Sequence, residues 1–328
     1  MGALERWLQR QWYRSGPAQL VLLPLSWLFA VLTWLRRLGY RVGLLPAYKL
    51  SVPVIVVGNI SIGGTGKTPL VLWLAEHLQQ QGYSPGIISR GYGGHAQEAT
   101  PVDADSAPSR VGDEPVLLAR RSGCPVLVGR DRVGTAQALL AANPQCDIII
   151  SDDGLQHYRL RRDVEIAVVD GQRGLGNGRL LPAGPLRESR ARLGKVDAVV
   201  INGGESGAAG YKMRLEAGVL RNLRDPARTV EVADLNGRSV CAVAGIGNPS
   251  RFFRQLHGMG LQFEQRVFPD HHAFKPTDLQ SLKAEAILMT EKDAVKCAAF
   301  AQEHWWYLPV RAVIAPELLA RIMQKLRK

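Results

Sequence analysis

The segment GNISIGGTGKTPL, residues 58–70, restricts what this chain can fold into more than any other part of it. It is entered from an apolar, β-branched run, PVIVV at 53–57, and left through a helical pattern of Leu70, Leu72, Leu74, Ala75 and Leu78. A strand, a glycine-rich bend, Gly-Lys-Thr and a helix, in that order, let a loop wrap phosphate oxygens with its own N–H groups. Ser61, Ile62, Gly63, Gly64, Thr65, Gly66, Lys67 and Thr68 form this expected ATP cradle. Lys67 is placed to reach the β- and γ-phosphates, and the Thr68 hydroxyl to ligate Mg2+. The usual spacing wants a glycine six residues before the lysine; Ser61 stands there instead, and Gly63 and Gly64 supply the flexibility within the loop.

Downstream, CDIIISDDG reads as a strand ending in Asp152 and Asp153. Carboxylates at a strand end can present oxygen to Mg2+ or its water shell. Acidic pairs after strands also serve as turn or cap residues, but the phosphate loop upstream favours the metal reading. Further strands are expected at 86–89, 125–128, 165–169 and 198–201, with helical patterns around 114–121 and 135–142 between them. This alternation predicts an α/β fold of the P-loop NTPase type, with a parallel sheet and ligands at the strand C-termini. From 211 to 232 the pattern turns to alternating polar and apolar residues, as in a β-ribbon joining two lobes. A second α/β set follows, with strands at 239–244, 262–268, 286–290 and 305–310, a helix through Phe253 and Leu256, and a last helix from Pro316. GIGNPS has only part of a dinucleotide-loop pattern and reads as a strand-to-helix turn. The expected division is 1–50 as an apolar N-terminal region, 51–210 as the P-loop lobe, 211–235 as the ribbon and 236–328 as the second lobe.

The N-terminal region carries QLVLLPLSWLFAVLTWL at 19–35, close to the length that spans a bilayer core. Four of the seven tryptophans, Trp7, Trp12, Trp27 and Trp34, fall in or beside it. Arg6, Arg10 and Arg14 precede it, and Arg36, Arg37, Arg41 and Lys49 follow it. Basic flanks on both sides and Pro24 leave open a spanning helix or one lying in the interface. A buried core helix and a signal peptide are the competing readings. The net charge of +12 calls for an anionic partner, and phosphorylated substrate, anionic lipid or nucleic acid would satisfy it. Aromatic residues do not interleave with a basic run, so nucleic acid is not expected. The four cysteines fall in no CxxC or Cys/His spacing, which argues against structural zinc and a disulfide framework.

Transfer of a phosphoryl group to an alcohol needs a base near the acceptor and cations around the moving group. RVGDEP supplies Asp113 and Glu114, FPDHHAF supplies Asp270, His271 and His272, and DDGLQHYRL supplies Gln156 and His157. LPAGPLRES adds Arg187 and Glu188, ISRGYGG adds Arg90 and Tyr92, and GRDR adds Arg130 and Arg132. Each alone has a plainer reading as a helix cap, a structural histidine or a solvated charge. Several such loops at one sheet edge shift that balance.

In the order NISIGGTGKTP, ISRGYGG, RVGDEP, SDDGLQHYRL, LPAGPLRE, GIGNPSRF, FPDHHAF and TEKDAVK, these motifs resemble the tetraacyldisaccharide 4'-kinases of lipid A biosynthesis over about residues 50–300. The resemblance implies transfer of the ATP γ-phosphate to the 4'-hydroxyl of an acylated glucosamine disaccharide 1-phosphate, giving lipid IVA. It implies two RecA-like lobes, Mg2+, and an inner-membrane lipid surface on the cytoplasmic side of a Gram-negative cell. By motif position, Lys67 and Thr68 take the P-loop roles and Asp152 and Asp153 the Mg2+ roles. Asp113 is the acceptor-activating carboxylate, paired with His271, and Arg187 steadies phosphate charge. Arg90, Tyr92 and His157 face the sugar headgroup. The same family carries Ser61 in its NISxGGTGKT form. A membrane-bound P-loop ATPase switch with no acceptor is the alternative, and it leaves Asp113 and His271 without a task.

Overall fold

The first sheet takes, in chain order, β1 (Val54–Gly58), β2 (Pro85–Ser89), β3 (Thr100–Val102), β4 (Val126–Val128), β5 (Ile148–Asp152), β6 (Val164–Asp170), β7 (Ala198–Asn202) and β8 (Tyr211–Ala217). The second takes β9 (Leu220–Asn222), β10 (Thr229–Val230), β11 (Val240–Ala244), β12 (Glu264–Val267), β13 (Ala286–Thr290) and β14 (Trp305–Leu308); β15 (Val310–Ile314) returns to the first. Around them lie α1 (Ala18–Arg41), α2 (Lys67–Gln80), α3 (Pro108–Val111), α4 (Asp113–Ser122), α5 (Arg132–Ala142), α6 (Pro249–Gly258), α7 (Pro276–Gln280), α8 (Glu291–Cys297) and α9 (Glu317–Leu326). The structure, a computed structural model, describes residues 12, 13, 16, 18–204 and 210–327; Trp7, Arg6, Arg10 and Arg14 lie outside the described residues.

The first sheet runs β15-β8-β7-β6-β1-β5-β2-β4-β3, parallel within and antiparallel only at its two edge pairs. Strand β1 is buried at every position because helices cover both faces. Ile55 and Val57 face Leu70, Leu74 and Leu78 of α2, whereas Val54 and Val56 belong to the opposite core with Leu139 and Leu155. The second sheet repeats this alternation, with Ala242 and Leu288 packed beside Phe252, Phe253 and Leu256. Register positions the site: Val57 pairs with Asp152, so the phosphate loop leaves β1 beside the carboxylates that end β5.

The expected ribbon has a partner that the sequence reading did not pair with it. Strand β8 pairs antiparallel with β15, and β9 pairs antiparallel with β14, so two adjacent stretches of chain cross together from one sheet to the other. The run expected as one strand at 305–310 is two, parted at Pro309, whose carbonyl accepts from Gly218 N at 3.0 Å. The expected second-lobe boundary of 236–328 is therefore corrected at its C-terminal end. Strand β15 joins the first sheet, and Leu318 and Ile322 of α9 are buried in the core beneath it.

Helix α1 docks along one stripe only. Ser26 Oγ donates to Leu180 O at 2.7 Å, and the Trp12 indole donates to Pro182 O at 2.9 Å. Leu20, Val21, Leu25, Trp27, Leu28, Val31, Leu32, Trp34 and Leu35 remain exposed. Residues Gln19–Arg41 are long and apolar enough to cross a membrane, and only 11% of their most apolar window is buried. A core helix would show the reverse.

Leu318 is fully buried on α9 although it is distant in sequence from the sheet it covers. Leu318→Ala should lower the unfolding free energy by about 3 kcal/mol through lost burial and a residual cavity, as read by chemical denaturation. A loss below about 1 kcal/mol would contradict this placement of the C-terminal helix.

Candidate active site

The loop from Asn59 to Gly66 is shaped by its own Asn59 and by residues that reach it from two other segments. Asn59 Nδ2 donates to Gly63 O and Thr65 Oγ1, both at 3.3 Å. Asn202, at the end of β7, donates to Thr65 O at 2.9 Å. Gly66 has φ +94°, and a Cβ there would lie 2.1 Å from Asn202 Nδ2, so glycine is required on both counts. The first half of the loop leans on the LPAGPLRE segment: Ile62 N donates to Pro185 O at 2.8 Å, and Arg187 N to Ile60 O at 2.7 Å. That pairing delivers Arg187 to the loop.

Lys67 Nζ lies 3.5 Å from Asp153 Oδ1, and Arg187 grips the same carboxylate with both terminal nitrogens, at 2.9 and 3.2 Å. Burial alone would raise the Asp153 pKa, but Lys67, Arg187 and Arg132 hold it well below the carboxylate range. Asp152 goes the other way. Burial pushes it up to about 7, Glu114 and Asp153 add to the rise, and Lys67 and Arg132 only partly oppose it. Its Oδ2 accepts from Ser89 Oγ at 3.3 Å, while its Oδ1 is buried with no hydrogen-bond partner. An orphaned hard oxygen beside a charged carboxylate fits a small divalent cation.

From the opposite side comes a pair drawn from both halves of the chain. Asp113, 4% exposed at the start of α4, lies 3.1 and 3.2 Å from Nδ1 of His271, in the loop after β12. Burial raises the Asp113 pKa, but the His271 hydrogen bond, Lys292 and Lys296 outweigh it and bring it down to about 2. His271 has φ +56° and Asp153 has φ +50°; they are the only non-glycine residues among those described with positive φ. Both sit in this cluster, where surrounding contacts sustain strained backbone.

The remaining expected residues fall at the same edge. The Tyr92 ring lies 4.8 Å from that of His271 and is 64% exposed. Burial lowers the His157 pKa to about 4, with the Arg132 and Arg90 cations adding to it, so its ring is neutral at pH 7. Sequence reasoning assigned no role to Asn59, Asn202 or Lys292. It named Glu114, Glu188 and Arg132 only as loop charges, yet Arg132 is 2% exposed and donates to Asp152 O at 2.9 Å. The GIGNPS turn also reaches the site. Arg173 donates to Gly247 O at 2.6 Å, and a Cβ at Gly247 would stand 2.8 Å from Gly64 N. Glycine there permits the two loops to touch.

Fold and loop together define a P-loop α/β protein whose site is completed by a second α/β half. A family profile for the tetraacyldisaccharide-1-P 4'-kinases (LpxK) matches residues 18–327. The tetraacyldisaccharide 4'-kinase of the bacterium Methylobacillus flagellatus is 55% identical over 99% of this chain and 97% of its own. That of Aeromonas salmonicida is 51% identical over 97% and 96%. The crystal structure of LpxK from Aquifex aeolicus in complex with ATP superposes with a TM-score of 0.78 at 30% identity, covering 94% of this chain and 99% of that one. The chain belongs to the tetraacyldisaccharide 4'-kinase family.

Because Asp113 has a folded-state pKa near 2 against 3.8 for the free side chain, it stabilises the fold fully above pH 4. That contribution is lost as pH falls through the folded value. Asp113→Asn should therefore cost roughly 2 kcal/mol at pH 7, and the gap to wild type should narrow between pH 4 and 2 in urea titrations. A gap that stayed constant over that range would remove the linkage.

Proposed function

We propose that this chain transfers the γ-phosphate of ATP to the 4'-hydroxyl of an acylated glucosamine disaccharide 1-phosphate, forming lipid IVA. The observation that supports this reading is that the loop carrying His271, which bonds Asp113, comes close to the phosphate loop: a Cβ at Gly247 would meet both Gly64 N at 2.8 Å and Asp270 Oδ2 at 2.9 Å. The link is electrostatic: Glu114, next to Asp113, and Lys67 both act on Asp152. A phosphate-binding loop alone would serve hydrolysis; a buried carboxylate–imidazole pair from the opposite half gives an acceptor hydroxyl its own partner.

In this reading the main-chain amides of 61–66 hold the triphosphate, and Lys67 stands over its β- and γ-oxygens. Thr68, Asp152 and Asp153 would hold Mg2+, which would neutralise charge on the same oxygens. Arg187, already paired with Asp153, adds a second fixed cation without reorganisation. The Asp113–His271 pair orients the acceptor hydroxyl and takes up its proton. Arg90, Tyr92 and His157 lie toward the headgroup.

The acceptor carries four acyl chains, so the reaction belongs at a bilayer surface. The exposed apolar stripe of α1 suits the cytoplasmic face of the inner membrane of a Gram-negative cell. Arg41, in the last turn of that helix, suits anionic headgroups.

Labelled ATP, offered with and without the acylated disaccharide in detergent micelles, should yield a phosphorylated lipid only when the disaccharide is present. Phosphate release that ignores the disaccharide would favour the ATPase switch. Lys67→Ala should abolish turnover, because the preorganised cation on the phosphates is lost. Asp113→Ala should lower kcat by about a hundredfold or more while KM for ATP changes little; an unchanged kcat removes Asp113 from the mechanism. Val21→Glu with Leu28→Glu should weaken co-sedimentation with anionic phospholipid vesicles about tenfold or more. Equal binding would place the membrane contact elsewhere.

A further inference from the structure

Helix α8 carries Lys292, to which the reaction as described assigns no task. Its side chain is 16% exposed and stands among three carboxylates. Nζ lies 3.0 Å from Glu114, 3.6 Å from Asp270 and 3.9 Å from Asp113. Burial would lower its pKa, but Glu114, Asp113 and Asp270 more than reverse this, so it remains an ammonium. The same Nζ lies 3.4 Å from Nε2 of His271. We propose that Lys292 is a positioning residue for phosphoryl transfer, fixing His271 as the tautomer that donates from Nδ1 to Asp113.

The argument starts from donor and acceptor inventories. An ammonium has three N–H groups and no lone pair, so toward Lys292 the imidazole can only accept, through Nε2. An ionised carboxylate can only accept, so toward Asp113 the ring must donate, through Nδ1. The nearest neighbour of each ring nitrogen specifies one tautomer; Asp270 Oδ1, an acceptor, lies farther from Nε2, at 3.8 Å, than the ammonium does at 3.4 Å. If the proton moved to Nε2, it would face the ammonium's N–H groups, and the Nδ1 lone pair would face a carboxylate 3.1 Å away.

Lys292 also holds the pair's charge. Asp113 is faced by His271 from the loop after β12, by Lys292 and Lys296 from α8, and by Glu114 on its own helix, while Asp270 pairs with the same Lys292 at 3.6 Å. Lys296 is shared with Asp293 at 2.8 Å, against 3.9 Å to Asp113, and it also donates to Gly245 O at 3.2 Å. Lys292 is thus the cation that bridges Asp113 and Glu114 of one half to Asp270 and His271 of the other. One turn of α8 therefore ties the imidazole pair to the Gly245 loop that touches Gly64. At the start of α8, Glu291 accepts from Arg121 of α4 at 2.7 Å, so the helix pair stays aligned when Lys292 is altered.

This inference rests on the kinase reading of the site, and the test separates the two. A wild-type enzyme that phosphorylates no acylated disaccharide counts against that reading. With active wild type, Lys292→Met should lower kcat about thirtyfold while KM for ATP stays within about twofold. The acidic limb of its kcat–pH profile should move to higher pH, because Asp113 has lost a cation. Lys292→Arg, which keeps charge and stem, should retain the wild-type limb, and Lys292→Met in an Asp113→Asn background should cost little more. Nitrogen-15 NMR of the imidazole should show His271 protonated on Nδ1 in wild type and a mixture of tautomers in Lys292→Met. An unmoved limb in Lys292→Met, a moved limb in Lys292→Arg, multiplicative losses in the double variant, or a wild-type His271 protonated on Nε2 would each overturn the assignment. The NMR reading of wild type and the Lys292→Arg profile decide it even where Lys292→Met does not fold.

Discussion

The parallel pairing of β1 with β5 is the constraint on which the rest of the structure depends. It sets Val57 against Asp152, so the loop that exposes main-chain N–H groups begins beside two carboxylates. That arrangement has an electrostatic cost, because two acids at the bottom of a buried site repel each other and lose their water. The chain meets it unequally. Asp153 is clamped by Lys67 and Arg187 and stays ionised, while Asp152, with one oxygen unpartnered, is pushed upward. A site left short of positive charge in this way is prepared for a cation accompanying a triphosphate. Arg132, buried against the Asp152 carbonyl, favours the charged form of both carboxylates.

The two halves meet over this cradle through buried polar contacts, and beside it through Val295 of α8, which packs into the core of the first half. Arg251 pairs with Asp170 at 2.9 Å, Asn248 donates to the same carboxylate at 3.2 Å, and Arg173 reaches Gly247 O. The paired strands β8–β9 and β14–β15 form the covalent connection between the halves. Asp113 and His271 come from opposite sides of that connection, so their hydrogen bond exists only when the halves are together.

Much of this was legible in the sequence where the signal is local. The strand before the phosphate loop, the helix after it and the strand ending at Asp152 each carry their own hydrophobic period, and each forms within a residue or two of its expected place. Pairing across long separations left no such trace. Nothing in WWYLPVRAVI announces that Trp305–Leu308 joins one sheet and Val310–Ile314 the other, because the switch depends on which edges are vacant and not on propensity. The short β3, antiparallel at an edge and containing Pro101, carries too few residues to show alternation. Among site residues, the loop motifs were visible through their glycines and charges. Lys292 was not, since a lysine in the first turn of a polar helix reads as solvated until the three carboxylates around it are seen. Its one signal was membership of TEKDAVK, the last of the ordered motifs.

The exposed apolar helix α1 and the phosphate site share a structural element, and this bears on how an insoluble acceptor would be handled in the proposed reading. Helix α1 is fastened to the 180–188 segment through Ser26, and through Arg37, which lies 3.7 Å from Glu188. Glu188 is 4% exposed; it accepts from Gln156 at 2.7 Å and from the Tyr158 hydroxyl, and its neighbour Arg187 grips Asp153. The residue that holds helix α1 and the residue that grips Asp153 are thus successive in one segment. A flexible tether would hold the enzyme near the bilayer but leave the site to search in orientation, with an entropic penalty for each encounter. A helix bonded to the loop that carries Arg187 gives the site a set height and angle relative to the exposed apolar stripe. In the proposed function, an acylated acceptor whose chains remained beside that stripe would need only to raise its headgroup to the edge where Asp113 and His271 meet.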